Sequence, residues 1–186
     1  MDQGNLLTIP AVPWKVESVE SESRSELLLD FYDREQTPLR RYVAMLGVDP
    51  ETARDIVQET FLKLHEHLLA GGDQSNLRAW LYRVVHNSAR NRQASFGVKK
   101  TSRLEDMTPA ANPVAKDLTA EEELLERERS ERLRQAVGQL SEAQRACVVL
   151  RTQGLKYREI AEALDCSVST VGENIQRGLE RLRELI

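Results

Sequence analysis

Between Gln74 and Leu104 the chain places seven basic residues (Arg78, Arg83, Arg90, Arg92, Lys99, Lys100 and Arg103) and no Asp or Glu. A cationic stretch of this kind attracts phosphate, and the counterions it displaces from a nucleic acid favour binding. A second constellation closes the chain. There "LKYREIAEALDCSV" runs into "STVGENIQRGLERLREL", which reads as a short helix, a tight turn and a longer helix. That order suggests a helix-turn-helix, whose second helix enters a DNA groove. Gly172, Glu173 and Asn174 stand where DNA contact is expected, and none is Lys or Arg, the usual source of phosphate affinity. Catalytic chemistry has no such footing: there is no phosphate loop, no paired His/Cys ligand set and no Ser/His/Asp pattern in context. No enzyme is expected, and no catalytic residue, cofactor or metal is assigned. His65 and His67 are two apart and share no helix face for a metal. Cys147 and Cys166 lack metal or redox spacing and read as small core residues in a reducing cytosol.

The elements that must carry these residues follow from composition and period. In 186 residues, 40% are hydrophobic, 30% are charged and 5% are aromatic, which fits a globular rather than a disordered chain. Leu, Ala, Glu, Arg and Gln dominate the long segments, so the expected fold is all-α. No apolar run reaches the roughly 20 residues of a membrane span, and the N-terminus has no basic region followed by an apolar core, so no signal peptide is expected. The net charge of −4 hides a partition: Glu105–Glu131 holds nine acids against three bases, beside the basic block.

Helical period begins at Ser25, with Thr37-Pro38 expected to break or kink the run and Gly47 to stop it. In "VDPETARDIVQETFLKLHEHLLAGG", Asp49 can cap, Pro50 suits the first helical position, and Ala53, Ile56, Val57, Thr60, Phe61, Leu64 and Leu68 form one apolar stripe. Asp55, Gln58 and Glu59 interrupt that stripe. A polar loop from Asp73 to Asn76 leads to the next helix, with Leu77, Trp80, Leu81, Val84, Val85, Ser88 and Ala89 as its apolar side and His86 as an exposed polar residue. Residues 97–118, with Pro109 and Pro113, read as a linker. Beyond it Thr119 caps one helix, Ser141 and Gln144 form a capping box on the next, Gly154 ends it, and Ser167 caps the last. The expected organisation is a flexible arm over 1–24, a helical domain over 25–96, the linker 97–118 and a helix-turn-helix domain over 119–186.

"ARDIVQETFLKL", then "RAWLYRVVHNSARN", then "LSEAQRACVVLRTQGLKYREIAEALDCSVSTV" resemble the extracytoplasmic-function sigma factors, the smallest members of the sigma-70 family of bacterial RNA polymerase. The resemblance runs from Leu28 to Leu185. It implies that the first domain corresponds to sigma region 2 and the second to region 4. It further implies that Asp55, Gln58 and Glu59 dock on the β′ clamp helices of core polymerase, whereas Phe61, within the stripe, reads as core. The third helix would recognise and help to melt the −10 element. Asn87 and the loop Gln74, Ser75 and Asn76 are the expected base pocket, and Arg83, Arg90, Asn91 and Arg92 the backbone contacts. Trp80 is a candidate stacking surface for an extruded base, although its place on the stripe also suits a core role. The linker would thread the polymerase channel.

For the −35 element the resemblance points to Ser169, Thr170, Glu173, Asn174, Gln176 and Arg177. Asn or Gln can pair with adenine, and Glu can accept from cytosine. The family's usual basic residue after Thr-Val is absent, so weak affinity or unusual specificity is expected, with the polymerase β flap or an added factor positioning this domain. Gly172 and Gly178 each cost about 1 kcal/mol in a helix interior. Promoter DNA and core polymerase are the expected partners, an anti-sigma factor is a further one, and the location is cytoplasmic without membrane insertion. Two other readings stand beside this one. A LuxR-type regulator would account for Leu140 onward but not for "DIVQETF" or "WLYRVVHN". A sigma-like decoy would hold polymerase without reading promoters.

Overall fold

In a computed structural model, residues 14–95 and 119–186 are described. They form seven helices and, among the described residues, no strand: α1 (Trp14–Met45), α2 (Pro50–Leu69), α3 (Leu77–Ser95), α4 (Ala120–Gly138), α5 (Glu142–Thr152), α6 (Tyr157–Leu164) and α7 (Val168–Leu185). The segments 1–13 and 96–118, with Lys99, Lys100 and Arg103, lie outside the described residues.

α2 forms where its signals place it. The Asp49 carboxylate accepts from the Thr52 N–H at 2.9 Å, which satisfies one of the orphan donors of the first turn and holds that carboxyl below its ordinary range. The seven residues of its apolar stripe are the seven it buries. α1 departs from expectation twice. It starts at Trp14, not Ser25: residues 14–24 contain neither Gly nor Pro, so a helix already nucleated further on extends through them without an apolar period of their own. It also continues through Pro38. Proline removes one backbone bond there, but Leu39, Tyr42, Val43 and Leu46 beyond it are all buried, and that packing outweighs the lost bond.

α3 also differs from its expected face. Ala79, Tyr82 and His86 are buried, while Trp80, Val84 and Ser88 are only half-buried. The reason is that α3 packs against α2, α1 and α6 together, so more than one side is covered. His86, expected in solvent, is 7% exposed, with its Nδ1 2.8 Å from the Tyr42 hydroxyl.

The C-terminal helices follow their punctuation. Thr119 with Glu122, and Ser141 with Gln144, form capping boxes. Gly154 takes φ +86° after α5. Asp165 closes α6 at φ 50°, a conformation Asp tolerates better than most residues, and Ser167 caps α7 by accepting from Thr170 N. α5 buries Ala146 to Leu150 against α6 and α7; burial pushes the Cys147 thiol up to about 11, as suits a packing residue rather than a reactive one. Arg145 closes the end of α4, donating to the carbonyls of Val137 (3.2 Å), Gly138 (2.7 Å) and Leu140 (3.1 Å). A further Arg145 nitrogen lies 3.3 Å from the Met45 carbonyl at the end of α1.

Candidate nucleic-acid interface

The spacing of Arg83, Asn87, Arg90 and Asn91 brings them to one side of α3. Asn87, Arg90 and Asn91 are exposed and Arg83 is half-buried. Gln74 and Ser75, in the loop leading to the helix, are exposed as well. That loop is built by its own polar groups. Asp73 accepts from the Ser75 N–H at 2.9 Å and from its hydroxyl at 2.8 Å, and these bonds hold the Asp73 carboxyl below its ordinary range. Asn76 Oδ1 accepts from the Ala79 N–H at 3.3 Å, capping α3. Trp80 is half-buried, and its ring stacks on that of His67 with centroids 4.8 Å apart, so one of its faces is already occupied.

Three of the basic residues are engaged inside the molecule. Arg92 pairs with Glu59 of α2 at 3.6 Å. Arg90 pairs with Glu142 of α5 at 3.3 Å, both side chains well exposed. Arg78, which the sequence reading counted but gave no role, is structural: its Nε donates to Glu35 at 2.7 Å and its Nη2 to the Gln153 carbonyl at 2.7 Å. Glu35 is 8% exposed, and without Arg78 it would be an unpaired buried charge. Asn76 Nδ2 donates to Glu162 of α6 at 2.9 Å. The two helical groups therefore meet along a polar seam, in which Glu142 and Glu162 take partners that the family resemblance leads one to expect at the DNA. The signal that could have revealed these two acids was weak, since each reads as an ordinary charge on a solvated face.

On α7 the candidate residues take their polar partners from their own helix and its cap. The Ser169 and Thr170 hydroxyls lie 2.7 and 2.8 Å from Ser167 Oγ. Asn174 donates to the Thr170 carbonyl at 3.0 Å, Gln176 to Glu180 at 3.0 Å, and Arg177 pairs with Glu173 at 3.6 Å. Gly172 leaves room beside Tyr157, whose Cε2 would be 3.8 Å from an added Cβ.

Asp55, Gln58 and Glu59 are exposed on α2. Phe61 is 6% exposed and meets Tyr32 edge-on, in keeping with its reading as core. Leu62, absent from the sequence candidates, is 65% exposed and completes the i, i+3, i+4, i+7 ridge begun by Asp55. Its signal was a leucine lying off the apolar stripe of its own helix.

Comparison with known proteins bears on both halves. Sigma-70 region 2 matches residues 31–95, and Sigma-70 region 4 matches residues 130–182. The chain is 30% identical over 185 residues to the ECF RNA polymerase sigma-E factor of Escherichia coli, covering 95% of this chain and 93% of the relative. It is 28% identical over 158 residues to the RNA polymerase sigma factor SigZ of Bacillus subtilis, covering 84% and 85%. Its fold is similar to that of CnrH solved with the cytosolic domain of CnrY, with a TM-score of 0.63 and 22% identity over 90% of this chain and 94% of that one. It is also similar to sigma factor RpoE of Bartonella quintana solved with the anti-sigma factor NepR, with a TM-score of 0.62 and 23% identity over 88% and 96%. The region 2 match covers the segment that a LuxR-type regulator left unexplained.

Proposed function

This chain belongs to the extracytoplasmic-function branch of the sigma-70 family of transcription initiation factors, and from that membership we propose that it binds core RNA polymerase and directs it to promoters whose −10 element is engaged by α3 and the loop before it. One observation carries the −10 assignment. α3 and its loop contain no Asp or Glu from Gln74 to Ser95, and Gln74, Ser75, Asn87 and Asn91 are exposed together there. Cations on that helix supply phosphate attraction, and the carboxamides supply the donor–acceptor pairs that read base edges. The ridge Asp55, Gln58, Glu59 and Leu62 of α2 is the surface for the β′ clamp helices. α7 contacts the −35 element weakly, because Arg177 already pairs with Glu173 and no Lys or Arg precedes it on the helix; the β flap then supplies much of the positioning of the second domain. An anti-sigma factor belongs to this reading too, as the similar RpoE of Bartonella quintana was solved with the anti-sigma factor NepR.

The test is reconstitution with core polymerase on a promoter library, with transcription starts mapped. Starts clustered behind a shared sequence support the proposal; stable polymerase binding without specific starts would make the chain a decoy. Asn87→Ala is expected to lower open-complex formation by about tenfold while polymerase affinity is unchanged. An equal loss of polymerase binding would remove Asn87 from the DNA surface.

A further inference from the structure

His67 lies in the last turn of α2, and its ring reaches forward into the loop that precedes α3. Its Nε2 is 2.9 Å from the Asp73 carbonyl oxygen; a carbonyl only accepts, so Nε2 carries the proton and donates. The same ring stacks on Trp80 of α3 at 4.8 Å, with the planes 28° apart. Space for it depends on Gly72. A Cβ at that position would lie 2.1 to 2.5 Å from three atoms of the imidazole, closer than any real contact. The backbone folds back at this point, with the Gly72 N–H bonded to the His67 carbonyl at 2.9 Å. Asp73, held by its carbonyl, fixes Ser75 through its carboxylate, and Asn76 then caps α3. A continuous set of contacts thus runs from the Trp80 ring through His67 to Asp73 and Ser75.

We propose that His67 is a positioning residue that holds loop 73–76 in the shape that accepts one unstacked nucleobase of single-stranded DNA, and so governs which base is accepted. It acts through the Asp73 carbonyl and touches no DNA itself. The inference rests on the reading of this loop as a base reader. It deepens that reading, because a loop without an anchored carbonyl would present Gln74, Ser75 and Asn76 in many arrangements and discriminate poorly between bases.

The experiment uses the full chain bound to core polymerase and a randomised pool of single-stranded DNA, reading affinity and base preference at each position. The wild type is expected to prefer one base at one position. His67→Ala is expected to reduce that preference by about tenfold, the scale of one lost hydrogen bond, with polymerase affinity unchanged. His67→Gln, whose amide can donate to the same carbonyl, restores most of it. Gly72→Ala displaces the ring and matches His67→Ala, and the two together are no worse than His67→Ala alone, since they act through one contact. Retained base preference in His67→Ala, or a further loss when Gly72→Ala is added to it, overturns the proposal. If the wild-type complex prefers no base at any position, the loop is not a base reader and both readings fall, whereas preference that survives His67→Ala removes His67 alone. Should His67→Ala not fold, His67→Gln and Gly72→Ala carry the same comparison.

Discussion

Two glycines in one helix separate what composition treats alike. Gly172 and Gly178 both reduce the intrinsic helicity of α7. At Gly172 an added Cβ meets nothing closer than Tyr157 Cε2 at 3.8 Å, whereas at Gly178 it would sit 2.9 Å from Val148 Cγ2 in the buried contact with α5. Gly178 is therefore the residue that allows α7 to lie close on α5. Gly172→Ala is expected to stabilise the C-terminal helices by about 0.5–1 kcal/mol. Gly178→Ala is expected to destabilise them by about 1–2 kcal/mol, overpacking exceeding the gain in propensity. Urea unfolding followed by circular dichroism measures both. The helix penalty of each glycine was legible from its type; which one has a packing reason was not, because Val148 is thirty residues away in the chain.

α3 is the element on which the most depends and the one whose face was read least well. A helix packed on one side shows its buried residues as an apolar stripe, and α2 does so. α3 is covered from several sides, so a polar residue with a partner can be buried, and apolar periodicity does not register it. His86 is the case in point. Burial lowers its pKa from 6.5, Arg90 lowers it further, and Glu142 works in the opposite direction. The groups facing it are Tyr42 from α1, Arg90 from α3 itself and Glu142 from α5. A folded-state pKa below the unfolded value means that the unfolded chain takes up the proton first. The contribution of the neutral imidazole is complete above about pH 6.5 and is lost as pH falls through the folded pKa. Between about pH 7.5 and about pH 5.5 the melting temperature of the wild type is expected to fall more than that of His86→Gln, which keeps a polar neighbour for Tyr42 but does not titrate. Equal falls in the two proteins would show that His86 does not contribute to acid sensitivity.

For the whole molecule, the seam between the two helical groups has direct consequences for DNA access. Glu162 holds Asn76 and Glu142 holds Arg90, so two residues proposed for the −10 contact are bonded to carboxylates of the other group. Each of these exposed contacts is worth no more than about 1 kcal/mol, so the seam is readily exchanged for DNA phosphate and base edges. Glu142→Gln combined with Glu162→Gln is expected to increase the distance between labels placed on α2 and α7, and to strengthen binding of single-stranded DNA several-fold at low salt. Arg78, bonded to both Glu35 and the Gln153 carbonyl, keeps its buried partner in either arrangement. An unchanged label distance in the double variant would show that the seam rests on the packing of α3 with α6 and not on these two polar contacts.

The sequence by itself determined the all-α class, the N-caps of α2, α4, α5 and α7, the buried stripe of α2 and the helix-turn-helix. These features depend on interactions within a few residues along the chain or on a period along one helix. Tertiary structure decided the length of α1 through Pro38, the buried side of α3, the packing reason for Gly178, the placement of the His67 ring over Gly72 and the seam that engages Asn76 and Arg90. Each of these brings together residues distant in the chain or sets one ring against a backbone turn, and the energy of such a contact depends on which surfaces meet, which no local pattern of residue types contains.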